Sequence, residues 1–143
     1  MAKKILIVLL ILTLAFIWGH SLMPVEVSQQ ESWWVTDLLT PFLEPVLGEG
    51  NVTDHFVRKL AHFAEYTVLG LELGLLLAAG WKGRLHAGVL GFICAFLDES
   101  IQMLSGRGDQ IIDVWLDLSG AVFGVLMATL VRFLIRRAKC RKP

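Results

Sequence analysis

Residues 98–124 read DESIQMLSGRGDQIIDVWLDLSGAVFG and place five carboxylates, an amide and an arginine beside strongly apolar sequence. These residues span the end of one apolar segment, a turn that contains glycine, and the start of the next segment. A carboxylate in lipid costs several kcal/mol unless it is paired or hydrated. The stretch therefore predicts a polar pocket inside a helix bundle. Its polar members are Asp98, Glu99, Gln102, Arg107, Asp109, Asp113 and Asp117.

The composition of the chain is that of a membrane protein. Of its 143 residues 55% are hydrophobic, the mean hydropathy is +0.64, and the formal net charge is zero. Soluble domains rarely reach this mean hydropathy, so we expect the bilayer to be the solvent. The length suits one small bundle, with residues 1–143 as a single membrane domain. Cys94 and Cys140 lie in an apolar segment and a basic tail, so we expect no disulfide.

Four apolar segments of the chain are each close to the ~20 residues that a helix needs to cross a bilayer. The first also fits a signal peptide, because Lys3 and Lys4 precede it, but no cleavage site follows and Pro24 is typical of a helix end. We therefore predict an all-α fold, an integral membrane four-helix bundle. The predicted spans are 5–23, 57–79, 85–104 and 111–135.

The basic residues predict the orientation of the bundle. The region 24–56 carries acidic residues and neither Lys nor Arg. Because cytoplasmic loops carry an excess of positive charge, both termini and the turn near Lys82 are predicted to be cytoplasmic. The loop 24–56 and the turn 105–110 then lie outside, and 136–143 is a cytoplasmic basic tail. The basic residues predicted to lie at the cytoplasmic side are Lys3, Lys4, Lys82, Arg84, Arg132, Arg136, Arg137, Lys139, Arg141 and Lys142.

The outer loop contains an amphipathic stretch. Apolar residues recur at spacings of three and four from Trp33 to Leu47. This pattern predicts a short helix on the outer membrane face, bent at Pro41 or Pro45, with tryptophan at the head-group level. A loop that packs over the mouth of the bundle fits the pattern equally well. In both interpretations the stretch covers the same end of the bundle.

Polar residues of three spans are predicted to meet at that outer end. At 100° per residue, Lys59, His62 and Tyr66 share one face of the second span, with Glu65 at its edge. Gly120 and Gly124 continue the aspartate stripe of the fourth span as GxxxG, which allows close approach of a neighbouring helix, so the stripe faces the interior. The full set is Arg58, Lys59, His62, Glu65, Tyr66, Asp98, Glu99, Gln102, Arg107, Asp109, Asp113 and Asp117.

Three interpretations of this set remain open. In the first, it is a structural ion-pair network that holds the helices in register. In the second, it binds an anionic head group through the cations Arg58, Lys59 and Arg107. In the third, it chelates a divalent cation through carboxylates, or a transition metal if His62 joins them. The identity of any metal or cofactor is unknown at this point. The carboxylates are Asp98, Glu99, Asp109 and Asp113.

Two stretches resemble the signatures of the VanZ-like family. The first is RKLAHFAEY at 58–66, followed by Leu69-Gly70, and the second is Asp98-Glu99-x-x-Gln102 with the residues after it. The resemblance implies a small bacterial cytoplasmic-membrane protein, and the founding member of the family is linked to low-level teicoplanin resistance. An outward-facing site fits that link, because glycopeptides meet the lipid-linked wall precursor on this side. The later residues of the second signature are Arg107, Asp109, Asp113, Asp117, Gly120 and Gly124.

The sequence supports three hypotheses about function. In the first, a binding protein holds an envelope-lipid head group or wall precursor, through Arg107 above all. In the second, an intramembrane enzyme uses His62, Glu99 or Asp113 as general base, with Arg107 or a metal stabilising negative charge. In the third, the polar set is structural only. No serine is predicted beside a base, which disfavours conventional hydrolases. The bilayer is the expected partner, nucleic acid is not, and the oligomeric state is not determined.

Overall fold

The computed structural model describes residues 2–77, 80–105 and 111–140, and the secondary structure of these ranges is entirely α-helical. Four of the five helices contain a stretch long and apolar enough to cross a membrane. The predicted all-α fold with four spans is therefore confirmed. The helices are α1 (Ala2–Ser21), α2 (Val25–Leu47), α3 (Asp54–Leu77), α4 (Trp81–Leu104) and α5 (Ile111–Cys140).

Most helices extend beyond the predicted apolar segments. Helix α3 begins three residues before the predicted 57, because the Thr53 hydroxyl caps it by accepting a hydrogen bond from the Phe56 amide at 3.2 Å. Helix α5 continues to Cys140, so the tail predicted from 136 onward is helical that far. The differences have one cause: apolar length reports the thickness of the hydrocarbon layer, and a helix does not end where that layer ends.

The region 24–56, predicted as an outer loop with a short helix, is mostly helix α2. This helix is longer than the predicted amphipathic stretch and contains Pro41 and Pro45 in its interior. It packs on α3, and its Ser28 and Ser32 side chains are buried. That α2 lies on the outer membrane face stays a prediction. One stripe at four-residue spacing is between 53% and 81% exposed, namely Trp34, Leu38, Phe42 and Val46.

Contacts between the spans show that they alternate in direction. His62 of α3 faces Asp98 of α4. One turn later in α3, Tyr66 faces Cys94, which lies one turn before Asp98 in α4. The two helices are therefore antiparallel. Helix α5 runs parallel to α3, since Gly120 lies beside Phe63 and Gly124, one turn later, lies beside Thr67. The alternation brings the end of α1, the start of α3, the end of α4 and the start of α5 to one end of the bundle.

The most extensive helix contact joins α3 and α5. A Cβ atom on Gly120 would lie 2.6 Å from the Phe63 carbonyl oxygen, and one on Gly124 would overlap the Thr67 carbonyl oxygen. From the other side, Gly70 lies directly against the backbone of Ala121. The GxxxG pair therefore faces a neighbouring helix, as the aspartate stripe predicts.

The surface away from these contacts is apolar. Large side chains on the outer faces of the spans are about half exposed, among them Phe16, Phe96 and Leu126. Soluble monomers rarely expose continuous apolar surface of this extent, whereas a bilayer covers it. The buried core, in contrast, includes the polar Tyr66 beside Ile17, Leu69 and the small residues that allow close packing.

We predict that Gly124→Ala destabilises the protein and that Gly88→Ala does not. The added methyl group on α5 would overlap α3 backbone, and such overpacking costs about 1–3 kcal/mol. Apart from its chain neighbours and the backbone of its own helix, no heavy atom of the described residues lies within 4 Å of a Cβ built on Gly88. Thermal unfolding of both variants in detergent measures the difference. Equal midpoints for the two variants would contradict the close α3–α5 approach.

Candidate functional site

The end of the bundle where the four spans meet holds a group of buried polar side chains. Ser21 at the end of α1 and Asp117 in α5 are each 1% exposed, and three polar side chains near the end of α4 are buried with them. Burying polar groups is costly unless they find hydrogen-bond or charge partners. The partners come from neighbouring helices, so the group links all four spans. The α4 members are Asp98, Glu99 and Gln102.

Asp98 is held by two hydrogen-bond donors. The Ser21 hydroxyl donates to Asp98 Oδ1 at 2.5 Å, and the Gln102 amide donates to Asp98 Oδ2 at 2.9 Å. The same Gln102 amide nitrogen lies 3.2 Å from the Ser21 oxygen. Asp98 and Gln102 are one helical turn apart on α4, and Ser21 reaches them from α1. The carboxylate orientation is therefore determined by contacts on both of its oxygens.

His62 of α3 lies between two carboxylates. Its Nδ1 atom is 3.6 Å from Asp117 Oδ1 and 4.0 Å from Asp98 Oδ2. These separations exceed the 2.7–3.2 Å that is usual for an N–H···O hydrogen bond. One ligand atom from each of the three residues lies within 4.8 Å of the others. Three different helices thus bring nitrogen and oxygen donors together without closing the space between them.

A cavity of about 30 Å³ opens above this trio. At its rim Lys59 Nζ lies 3.1 Å from Asp113 Oδ1, and both side chains are partly exposed. A water needs at least about 10–15 Å³ of such volume, so the cavity admits one or two waters or one small polar group. Its lining residues are His55, Arg58, Lys59, His62, Glu99, Gln102, Asp113, Leu116 and Asp117.

Charge is distributed unevenly around the cavity. The α3 wall carries the cations Arg58 and Lys59 beside two histidines, whereas α4 and α5 contribute the carboxylates Glu99, Asp113 and Asp117. The α3 side of the cavity therefore presents positive charge, and the α4 and α5 sides present negative charge. A ligand with both an anionic group and hydroxyl or amine donors matches this arrangement.

The predicted site residues divide by position. Asp98 lies below the cavity, connected to it through His62 and Gln102. Arg107 and Asp109 lie outside the described residues. Whether the remaining residues bind or catalyse is not tested by their position, so these roles stay predictions. The predicted residues that line the cavity are Arg58, Lys59, His62, Glu99, Gln102, Asp113 and Asp117.

Glu65 and Tyr66 lie apart from the lining of the cavity. Tyr66 is fully buried, and its hydroxyl donates to the Cys94 carbonyl of α4 at 3.2 Å. Glu65 instead lines a groove between α1 and α3, beside Thr13. Helical periodicity correctly places these residues near the face of His62, but it does not say which neighbouring helix each side chain meets.

Two residues of the site were missed by the sequence analysis. Ser21 was not among the predicted site residues, although its hydroxyl donates to the Asp98 carboxylate. The available signal was its place at the polar end of the first span, on the same side as the other polar residues. His55 lines the cavity from the first turn of α3. Its signal was its position one turn before Arg58 and Lys59.

We predict that Ser21→Ala lowers the stability of the bundle and that Ser119→Ala does not. Removing the Ser21 hydroxyl leaves buried Asp98 with one donor fewer, which costs about 1–3 kcal/mol. The exposed Ser119 hydroxyl donates only to the Leu116 carbonyl of its own helix, at 2.5 Å. Unfolding in detergent by heat or denaturant checks both. If Ser21→Ala matches Ser119→Ala, the tie between α1 and α4 is energetically unimportant.

Comparison with known proteins adds one relationship. A family model described as VanZ/LLP1 matches residues 6–132, which include all residues of the site described above. No curated protein and no solved structure matches the chain.

Proposed function

The chain belongs to the VanZ/LLP1 family, and from that premise we propose that it is a bacterial inner-membrane protein that binds a cell-envelope lipid. The ligand is the polar head group of such a lipid, or of a lipid-linked wall precursor, taken up from the outer side. The observation that carries this proposal is the cavity at one end of the bundle, to which α3 contributes cations and α4 and α5 contribute carboxylates.

The distribution of basic residues supports the outward orientation. Lys3 and Lys4 begin α1, Lys82 and Arg84 lie in the first turn of α4, and further cations end α5. All of these positions are at the end of the bundle opposite the cavity. Because the positive end of a membrane protein faces the cytoplasm, both termini are cytoplasmic and the cavity opens outward.

The size of the cavity limits how a head group binds. A volume of about 30 Å³ accepts one polar group, so most of the head group lies at the mouth. A phosphate there meets Arg58 and Lys59, while Glu99 and Asp113 accept hydrogen bonds from hydroxyls or an amine. Arg107 belongs to the proposal on its sequence position alone, as a further cation. The acyl chains lie along the apolar outer surface of the spans.

Helix α2 is proposed to cover the site at the outer membrane surface. Its exposed stripe, which contains Trp34 and Phe42, has the composition of an interfacial helix. The ion pair between His20 Nε2 and Glu31 Oε2, at 3.5 Å, connects α2 to the end of α1 beside the site. In this position α2 restricts the approach to the cavity to molecules at the head-group level.

The proposal has one consequence for glycopeptide resistance. A protein that holds a lipid-linked wall precursor on the outer face competes with teicoplanin for the same molecule. We therefore propose that any contribution to resistance arises from sequestration of the precursor, and that it follows the affinity of the cavity.

A second candidate function is acid–base catalysis on the bound lipid. The position of His62 between Asp98 and Asp117 favours it, because carboxylates beside an imidazole orient the ring and stabilise its protonated form. Glu99 and Asp113 line the same cavity and are the other candidate bases. Chemical change of a bound lipid by the wild-type protein, abolished in His62→Gln, distinguishes this function from binding alone.

We predict that Lys59→Gln weakens head-group binding and that Lys82→Gln does not. Loss of one charge-assisted contact is worth about 1.5–3 kcal/mol, or roughly tenfold or more in affinity. Native mass spectrometry of the purified protein with undecaprenyl phosphate and with phosphatidylglycerol measures the retention of each lipid. Lys59→Gln also removes the ion pair with Asp113, which could itself alter the cavity. Arg58→Gln is therefore a second variant that tests the loss of a cation. The proposal fails if the two lysine variants and Arg58→Gln retain lipid equally.

We also predict that the region between α1 and α3 is accessible from outside the cell. In a Cys94→Ala, Cys140→Ala background, Asn51→Cys should react in intact cells with a maleimide that cannot cross membranes. In a separate Cys94→Ala variant that keeps Asn51, the native Cys140 at the basic end of α5 should react only after the cells are opened. Labelling with the opposite pattern would place the cavity on the cytoplasmic side and overturn the proposed orientation.

A further inference from the structure

We propose that His62, Asp98 and Asp117 form a binding site for one divalent transition-metal ion, with Mn²⁺ and Zn²⁺ as the best-matched ions. This inference deepens the proposed head-group site, because a metal in this position lies at the bottom of the same cavity. There it would meet a phosphate oxygen of the head group that enters from the mouth.

The distances between the three side chains are close to those of donor atoms that share one metal ion. Donor atoms bound to one ion at ~2.0–2.2 Å lie about 2.8–3.6 Å apart in octahedral or tetrahedral geometry. His62 Nδ1 lies 3.6 Å and 4.0 Å from its two carboxylate neighbours, and the whole set falls within 4.8 Å. A contraction of about 1 Å or less at each side chain closes the set around an ion.

The negative charge of two buried carboxylates also favours a bound cation. Asp98 is fully buried and Asp117 is 1% exposed, so two carboxylates have been taken out of water at adjacent positions. Ionised carboxylates in an apolar interior are costly unless a positive charge compensates them. A divalent cation between the two carboxylates would add to the compensation that their protein partners provide. The low dielectric of the bundle strengthens this attraction.

The surroundings of Asp98 provide an independent observation. Its oxygens accept hydrogen bonds from the Ser21 hydroxyl and the Gln102 amide, which orient the carboxylate toward His62. Outer partners of this kind orient metal ligands in proteins and contribute to affinity. The cavity is lined by His62 and Asp117, so water or a ligand oxygen can complete the coordination from that side.

The donor set selects the class of metal. One imidazole nitrogen with two carboxylate oxygens suits Mn²⁺ or Zn²⁺, since imidazole prefers the later transition metals and carboxylates prefer harder ions. Ca²⁺ requires six to eight oxygen ligands, and Mg²⁺ retains several waters in near-ideal octahedral geometry. The small cavity and the nitrogen ligand therefore disfavour both.

The test measures metal binding to the full-length protein in detergent, without added lipid. The protein is stripped with EDTA and titrated with Mn²⁺, followed by electron paramagnetic resonance, or with Zn²⁺, followed by calorimetry. We expect one ion per chain and a higher unfolding temperature with the ion than with EDTA. His62→Asn and Asp98→Asn should lower affinity by at least about tenfold, the loss that even outer partners cause.

Matched controls make the result specific. His86→Asn, at an exposed position in the first half of α4, and Asp37→Asn, at an exposed position of α2, should bind the ion as the wild type does. Ser21→Ala, which removes an orienting contact but no ligand, should lower affinity by about tenfold. If Asp98→Asn does not fold, the partly exposed His62 provides the decisive variant.

Two outcomes would overturn the inference. One is a wild-type protein that binds no ion and gains no thermal stability from it. The other is equal affinity in His62→Asn and His86→Asn. Because the measurement contains no lipid, its failure leaves the head-group proposal intact. Conversely, loss of lipid binding in Lys59→Gln with unchanged metal affinity supports both proposals as separate functions of one cavity.

Discussion

Burial of the Asp98 and Asp117 carboxylates is the constraint on which the rest of the bundle depends. In an apolar environment each carboxylate must be met by donors or positive charge, and one helix cannot provide them all. Ser21 comes from α1, His62 from α3 and Gln102 from α4 itself. All four spans are therefore joined at one end by groups that would be costly to separate.

Close packing of α3 and α5 makes this polar arrangement possible. Gly120 and Gly124 remove the side chains that would hold the two helices apart, and Gly70 does the same from α3. His62 and Asp117 lie at the start of this contact, so their separation is determined by how closely the backbones approach. Packing and site geometry thus depend on the same small residues, and a methyl group two turns away would change both.

Much of this arrangement could be predicted from the sequence, because the bilayer imposes simple rules. A hydrocarbon layer of known thickness requires about 20 apolar residues, which located the four spans, and charged positions indicated their shared polar end. Periodicity also placed Gly124 and Asp117 correctly toward the interior. It did not distinguish Tyr66, which meets α4, from His62, which meets the cavity, because that depends on neighbouring helices. Ser21 and the full length of α2 were missed for the same reason.

The length of α5 has a consequence for how deeply the protein sits in its membrane. Arg132 lies nineteen positions after Asp113 along α5. This distance is about 29 Å along a helix, which is close to the thickness of the hydrocarbon layer. The Arg132 guanidinium donates to the Leu75 carbonyl of α3, so the charge at the end of the bundle away from the cavity is attached to a neighbouring helix. Vertical sliding in either direction would drag one of these charges into the acyl chains. The two charges therefore hold the bundle at a constant depth in the bilayer. A change in bilayer thickness must then be accommodated by deformation of the lipid or by tilt of the helices.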